Sequence, residues 1–230
     1  MCTSVVANFN KTLVGFNLDL LNMEYKVVAE ADKVYIATKD AKEGWMPLFG
    51  ANAKGDFVAM PTCWPFDERS NPKSAEDPNI ILMDIDLLMG KRTLAEIKQI
   101  AETTSICSVP GFTFQSQLSD KEGNVLQITP GQGMRYLEKP KYSVMTNFSP
   151  FKGDAEQHPW MGMDRYKKAV EVLERYDEQF DVEDCFEVLK SVAQTVCPTV
   201  VSMVFDVEEN TVYWCENREW NQIQKGKMTK

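Results

Sequence analysis

The chain has 230 residues, 43% apolar and 26% charged, a composition ordinary for a globular protein. Its 25 basic residues stand against 34 acidic ones, and the net charge of −9 argues against a nucleic-acid backbone as partner. No stretch approaches the roughly 18 apolar residues of a membrane span, and no signal peptide is recognisable, so a cytoplasmic protein without a membrane partner is expected. The six cysteines (Cys2, Cys63, Cys107, Cys185, Cys197, Cys215) form no Cys-x-x-Cys pair and have one histidine to help them. Reduced thiols, no metal and no cofactor are the expectation.

In chain order, Cys2–Phe9 and Thr12–Asn17 read as strands around an Asn10-Lys11 hairpin, followed by strands at Lys33–Ala37 and Phe57–Met60. The glycine of Asn52-Ala53-Lys54-Gly55 suits a turn with positive φ. Pro65–Pro78 reads as a surface loop, and Asp84 and Asp86 alternate as on a strand. Thr93-Leu94-Ala95-Glu96 is a capping box that starts a helix running to about Glu102. Phe112–Ser119 and Asn124–Thr129 are strands joined by Asp120-Lys121-Glu122-Gly123, and Tyr142–Thr146 is another.

Tyr166, Ala169, Val170, Leu173 and Tyr176 repeat at helical spacing. So do Val182, Cys185, Phe186, Leu189, Val192 and Ala193, behind an N-cap at Asp181 and ahead of Pro198. Thr199–Asp206 and Thr211–Cys215 close the chain as a hairpin. The pattern is an α+β protein of antiparallel sheets covered by helices, with no linker and no repeat, and residues 2–230 are expected to form a single domain.

Cys2 follows the initiator methionine. Aminopeptidase removes methionine before a small residue, which would place a thiol and an α-amine on one residue, a nucleophile with its own base. On position alone, a small apolar residue starting an edge strand is the plainer reading. Cys2-Thr3-Ser4 and Gly15-Phe16-Asn17-Leu18-Asp19 together resemble the choloylglycine hydrolase family, which includes bile salt hydrolases and penicillin V acylases. Three further segments agree in order: Gly50-Ala51-Asn52-Ala53-Lys54-Gly55, Ser143-Val144-Met145-Thr146-Asn147-Phe148-Ser149-Pro150, and Asp164-Arg165-Tyr166.

The resemblance implies an N-terminal-nucleophile hydrolase with a four-layer αββα sandwich, opening a linear amide of a small N-acyl compound through a Cys2 thioester. It assigns Asp19 to orient the Cys2 amine, Asn147 and the backbone N–H of Thr62 to bind the oxyanion, and Arg165 to favour the thiolate. Phe16 stands where the family has arginine, and an apolar surface for substrate is expected there. Trp64 and Phe66, with Trp45 and Phe49, are candidates for an acyl pocket or for plain core. Only 18 positions separate Asn147 from Arg165, without the long excursion that builds the bile salt hydrolase tetramer. Another homo-oligomer stays open. A catalytically silent relative that binds a small apolar acid, and an acyltransferase using the same residues, remain alternatives. His158, before a proline, reads as a loop residue.

Overall fold

The computed structural model describes residues 1–152 and 161–229; His158 and Lys230 lie outside the described residues. The chain begins with the strands β1 (Cys2–Asn8), β2 (Thr12–Asp19), β3 (Tyr25–Ala29) and β4 (Lys33–Asp40). Three more follow, β5 (Gly44–Asn52), β6 (Phe57–Ala59) and β7 (Thr62–Cys63), then helices α1 (Ile80–Leu88) and α2 (Leu94–Thr103). Next come β8 (Thr113–Phe114), β9 (Ser116–Ser119), β10 (Val125–Thr129), β11 (Gly133–Leu137) and β12 (Tyr142–Met145). Helices α3 (Met163–Leu173) and α4 (Val182–Ser191) precede β13 (Thr199–Asp206), β14 (Thr211–Glu216) and β15 (Gln224–Lys227).

Two large antiparallel sheets result. One has the order β12-β1-β2-β13-β14-β15, the other β11-β10-β9-β6-β5-β4-β3. They face each other through a core of Cys2, Val14, Phe16, Leu18, Met203 and Phe205 from the first sheet against Phe49, Ala51, Phe57 and Ala59 from the second. The outer face of the first sheet packs Val5, Ala7 and Leu13 against Ala169, Leu173, Cys185 and Leu189 of α3 and α4. The outer face of the second packs Leu118, Leu126 and Ile128 against Ile80, Met83, Leu87 and Ile97 of α1 and α2. The layers are therefore αββα. This arrangement explains why β1 and β2 are buried along their whole length and show no polar–apolar alternation, since both faces of a central strand are covered.

The local signals hold where chemistry fixes them. Thr93 and Glu96 satisfy each other's backbone donors at the start of α2, and Asp181 and Asp184 do the same for α4. Asn52 pins its turn by donating to Leu87 O at 2.9 Å, so that motif anchors the end of α1. Two expectations are corrected. Asp84 and Asp86 lie on helix α1, whose apolar residues Ile80, Met83 and Leu87 recur at helical spacing. Phe112–Ser119 divides into β8 and β9, which belong to different sheets, and the Gln115 side chain at the break donates to Thr146 O at 2.8 Å.

Candidate active site

The Gly15–Asp19 segment shows how alternation builds the site. Phe16 and Leu18 point into the core between the sheets, on the same face as Cys2 and Ser4, which they oppose as Leu18–Cys2 and Phe16–Ser4 pairs. Gly15, Asn17 and Asp19 point the other way. A Cβ on Gly15 would lie 2.9 Å from Cys185 Sγ, so glycine lets α4 approach. Asn17 ties β2 to α4 by donating to Leu189 O at 2.8 Å. Asp19, at the strand end, is buried.

Around Cys2 the backbone is held from three sides. Its N–H donates to Asn147 Oδ1 at 2.9 Å, and its carbonyl accepts from Arg165 Nη1 at 2.6 Å. The same guanidinium donates to Thr3 Oγ1 at 2.9 Å and to Asn147 Oδ1 at 2.8 Å, and lies 3.6 Å from Asp19 Oδ2. Arg165 is only 5% exposed despite opening a helix. It can fold back because Gly162, the α3 N-cap, has φ +71°, and a Cβ there would lie 2.2 Å from Arg165 Nη2.

Asn147 is oriented without ambiguity. Two donors converge on its Oδ1, which leaves Nδ2 to donate to Thr62 O at 2.6 Å. An amide nitrogen carries two protons, so one donor remains. Thr62 supplies a second by strand geometry. Gln115 N–H donates to Pro61 O at 3.0 Å, which makes Thr62 and Phe114 the following, non-hydrogen-bonded pair of the β7–β8 ladder. Thr62 N–H and C=O therefore both point away from β8, toward Asn147. Trp64, two residues on, does the same and donates to Asn147 O at 2.6 Å.

The Asp19 carboxylate accepts from Thr199 Oγ1 at 2.6 Å and from Gln194 Nε2, while its carbonyl accepts from the Met1 α-amine at 2.9 Å. Burial raises its pKa to about 6, against the opposing pull of the Thr199 bond, Arg165 and the terminal amine. Gln194 and Thr199 carried no motif in the sequence; Thr199 showed only as the first residue of a strand.

The Cys2 thiol is itself buried. With Met1 attached, burial pushes Cys2 up to about 11, and the nearby amine and Arg165 do not overcome it. Arg165 reaches the carbonyl of Cys2, not its sulfur. Cys2 is 5% exposed, and Cys197 is the one cysteine that is not buried.

The candidate substrate residues divide. Phe16 is fully buried and stacks on Phe49 at 4.9 Å between ring centroids, so it floors the region below Cys2 and presents no open surface. Trp64 stacks on Phe66 at 4.0 Å, and Phe66 meets Phe112 in a tilted contact at 5.0 Å, a half-exposed aromatic row beside Asn147. Trp45 stands apart under Lys26 at 4.5 Å.

No protein-family model and no curated protein matches the sequence. Solved structures do match the fold. A variant of the conjugated bile acid hydrolase from Clostridium perfringens superposes with a TM-score of 0.70 at 16% identity, over 99% of this chain and 92% of that one. Penicillin V acylase from Agrobacterium tumefaciens gives 0.64 at 13% identity, covering 94% of this chain and 83% of that one. The Caenorhabditis elegans ortholog of N-acylethanolamine-hydrolyzing acid amidase gives 0.64 at 19% identity, over 90% and 93% of the two chains. The chain has the N-terminal-nucleophile hydrolase fold. At these identities the likeness speaks for architecture, and the αββα sandwich implied by the motifs is the one observed. Among the described residues no helix is long and apolar enough to cross a membrane.

Proposed function

We propose that the protein is a cysteine amidohydrolase that cleaves the linear amide of a small N-acyl compound. The observation that carries this reading is the convergence on Cys2: Asn147 Oδ1 on its nitrogen, Arg165 on its carbonyl, and Asp19 beside the chain start. Loss of Met1 turns the Cys2 nitrogen into an α-amine already held by Asn147. In its neutral form that amine takes the thiol proton as sulfur attacks the carbonyl carbon. The carbonyl oxygen gains the electron pair and is received by the free proton of Asn147 Nδ2 and by Thr62 N–H. The C–N bond then breaks, the Cys2 ammonium returns its proton to the departing amine, and water hydrolyses the thioester.

Asp19, clamped by Thr199 and Gln194, orients the terminal amine, and Arg165 fixes the Cys2 backbone and offsets the Asp19 charge. The row of Trp64 and Phe66 beside Asn147 supports an apolar acyl group. Residues 2–230 act as one domain in this reading.

A panel of N-acyl amides with aliphatic and aromatic acyl groups tests the proposal. Cys2→Ala should abolish turnover, and Asn147→Ala should reduce it by on the order of 10²–10³. Hydrolysis that survives Cys2→Ala would refute the mechanism. Adding a primary amine acceptor separates hydrolysis from acyl transfer: only the transferase yields the new amide as its main product.

A further inference from the structure

At the open edge of the sandwich, between β12 of one sheet and β11 of the other, a chain of buried polar side chains crosses the core. Ser4 and Ser143 come from the first sheet, Gln117 and Gln127 from the second, and all four are at most 5% exposed. Gln127 Nε2 donates to Gln117 Oε1 at 2.7 Å and to Ser143 Oγ at 3.1 Å, and Gln117 Nε2 donates to Ser4 Oγ at 3.0 Å. Ser143 Oγ donates to Gln117 Oε1 at 2.8 Å. Gln127 Oε1 is left to accept from Arg135, which donates to it through Nε at 3.1 Å and through Nη2.

The network thus ends on a guanidinium whose plane it fixes. Arg135 is exposed, and none of the ion pairs among the described residues includes it. Of its five N–H donors, two meet Gln127 and three remain. Beside it opens a cleft of about 170 Å³ lined by Gln127 and Arg135 on the polar side and by Met145, Phe148, Met163 and Tyr166 on the apolar side. That volume is close to the ~150 Å³ of a cavity that admits benzene. Phe148 and Tyr166 meet edge-to-face at 5.3 Å, which makes the apolar wall rigid.

From this we infer a binding site for a small organic carboxylate with an aromatic or short aliphatic body. The carboxylate takes the free fork of Arg135, the geometry in which arginine binds such groups in pairs of parallel hydrogen bonds. The body lies on Met145, Phe148 and Tyr166. The site goes beyond the hydrolase reading: it uses neither Cys2 nor Asn147, and it would stand if Cys2 proved inert.

Calorimetric titration of the full-length chain with phenylacetate, 2-phenylethanol and inorganic phosphate tests it. Phenylacetate should bind saturably to the parent and equally to Cys2→Ala, at least tenfold more weakly to Arg135→Gln, and with intermediate affinity to Arg135→Lys, which keeps a donor for Gln127. The alcohol and phosphate should bind at least tenfold more weakly than phenylacetate, since each lacks one half of the recognition. No binding of phenylacetate, or unchanged binding to Arg135→Gln, overturns the inference. Equal affinity for the alcohol, or for phosphate, does so as well. Binding lost in Cys2→Ala but kept in Arg135→Gln would place the carboxylate at the nucleophile and also refute this site, while leaving the hydrolase reading intact.

Discussion

Asp19 is the residue whose titration reports most directly on the site. Its pKa lies above the ordinary value of 3.8, at about 6, so the folded chain holds this proton where the unfolded chain has released it. The stability it contributes is full below pH 4 and is lost as pH rises through about 6, a change on the order of 3 kcal/mol. Urea unfolding of the parent relative to Asp19→Asn should show that loss between pH 4 and 7; a relative gain over that window would contradict the assigned burial. Phe16 makes the opposite kind of test. Arginine there would meet Phe49 and Phe57 and place an unpaired charge in the core, so Phe16→Arg should destabilise strongly. Phe16→Ala should cost about 3–5 kcal/mol by chemical denaturation. The motif named position 16 as the departure from the family, but only the stacked partner from β5 shows that the phenylalanine is structural. Asn147 and Arg165 were legible as motif residues, whereas their mutual bond was not, because it joins a strand end to a helix 18 positions away.

Elements were legible in the sequence where a side chain caps or a turn needs glycine. The starts of α2 and α4 fall at Thr93 and Asp181 because reciprocal capping bonds leave little latitude. Helix α1 escaped because its core is short and nearly all apolar, a run that strand and helix share, and Asn79 caps it without a capping-box partner. The β11 strand shows an incomplete alternation, since its residues are half-buried or exposed at a sheet edge. Helix α3 carries the most testable element. Gly162→Ala forces an L-residue to φ +71° and drives its Cβ into Arg165 Nη2, so the guanidinium must leave Cys2 O and Asn147 Oδ1. Turnover should fall by at least tenfold, with about 1 kcal/mol of stability lost from strain. Activity unchanged in Gly162→Ala would mean that Arg165 does not hold the Cys2 backbone during the proposed turnover.

For the whole molecule, the αββα layering follows from strands whose two faces are both apolar, and the nucleophile candidate sits at the start of a central strand. With Met1 in place that thiol is buried and raised to about 11, while Cys63 is pushed up to about 12. A mild alkylating probe at pH 7.5 should therefore label Cys197 first in a chain that keeps Met1, and Cys2 should gain reactivity once Met1 is gone, as a terminal ammonium then lies on the same residue. Cys2 labelling first with Met1 retained would show the thiol to be open to solvent. The most direct measurement is intact mass with N-terminal peptide mapping, taken during turnover of an N-acyl substrate quenched in acid. The chain should begin at Cys2 and carry the acyl group on that residue. Turnover by a chain that retains Met1, or an acyl group found on any other residue with Cys2 unmodified, would contradict the mechanism.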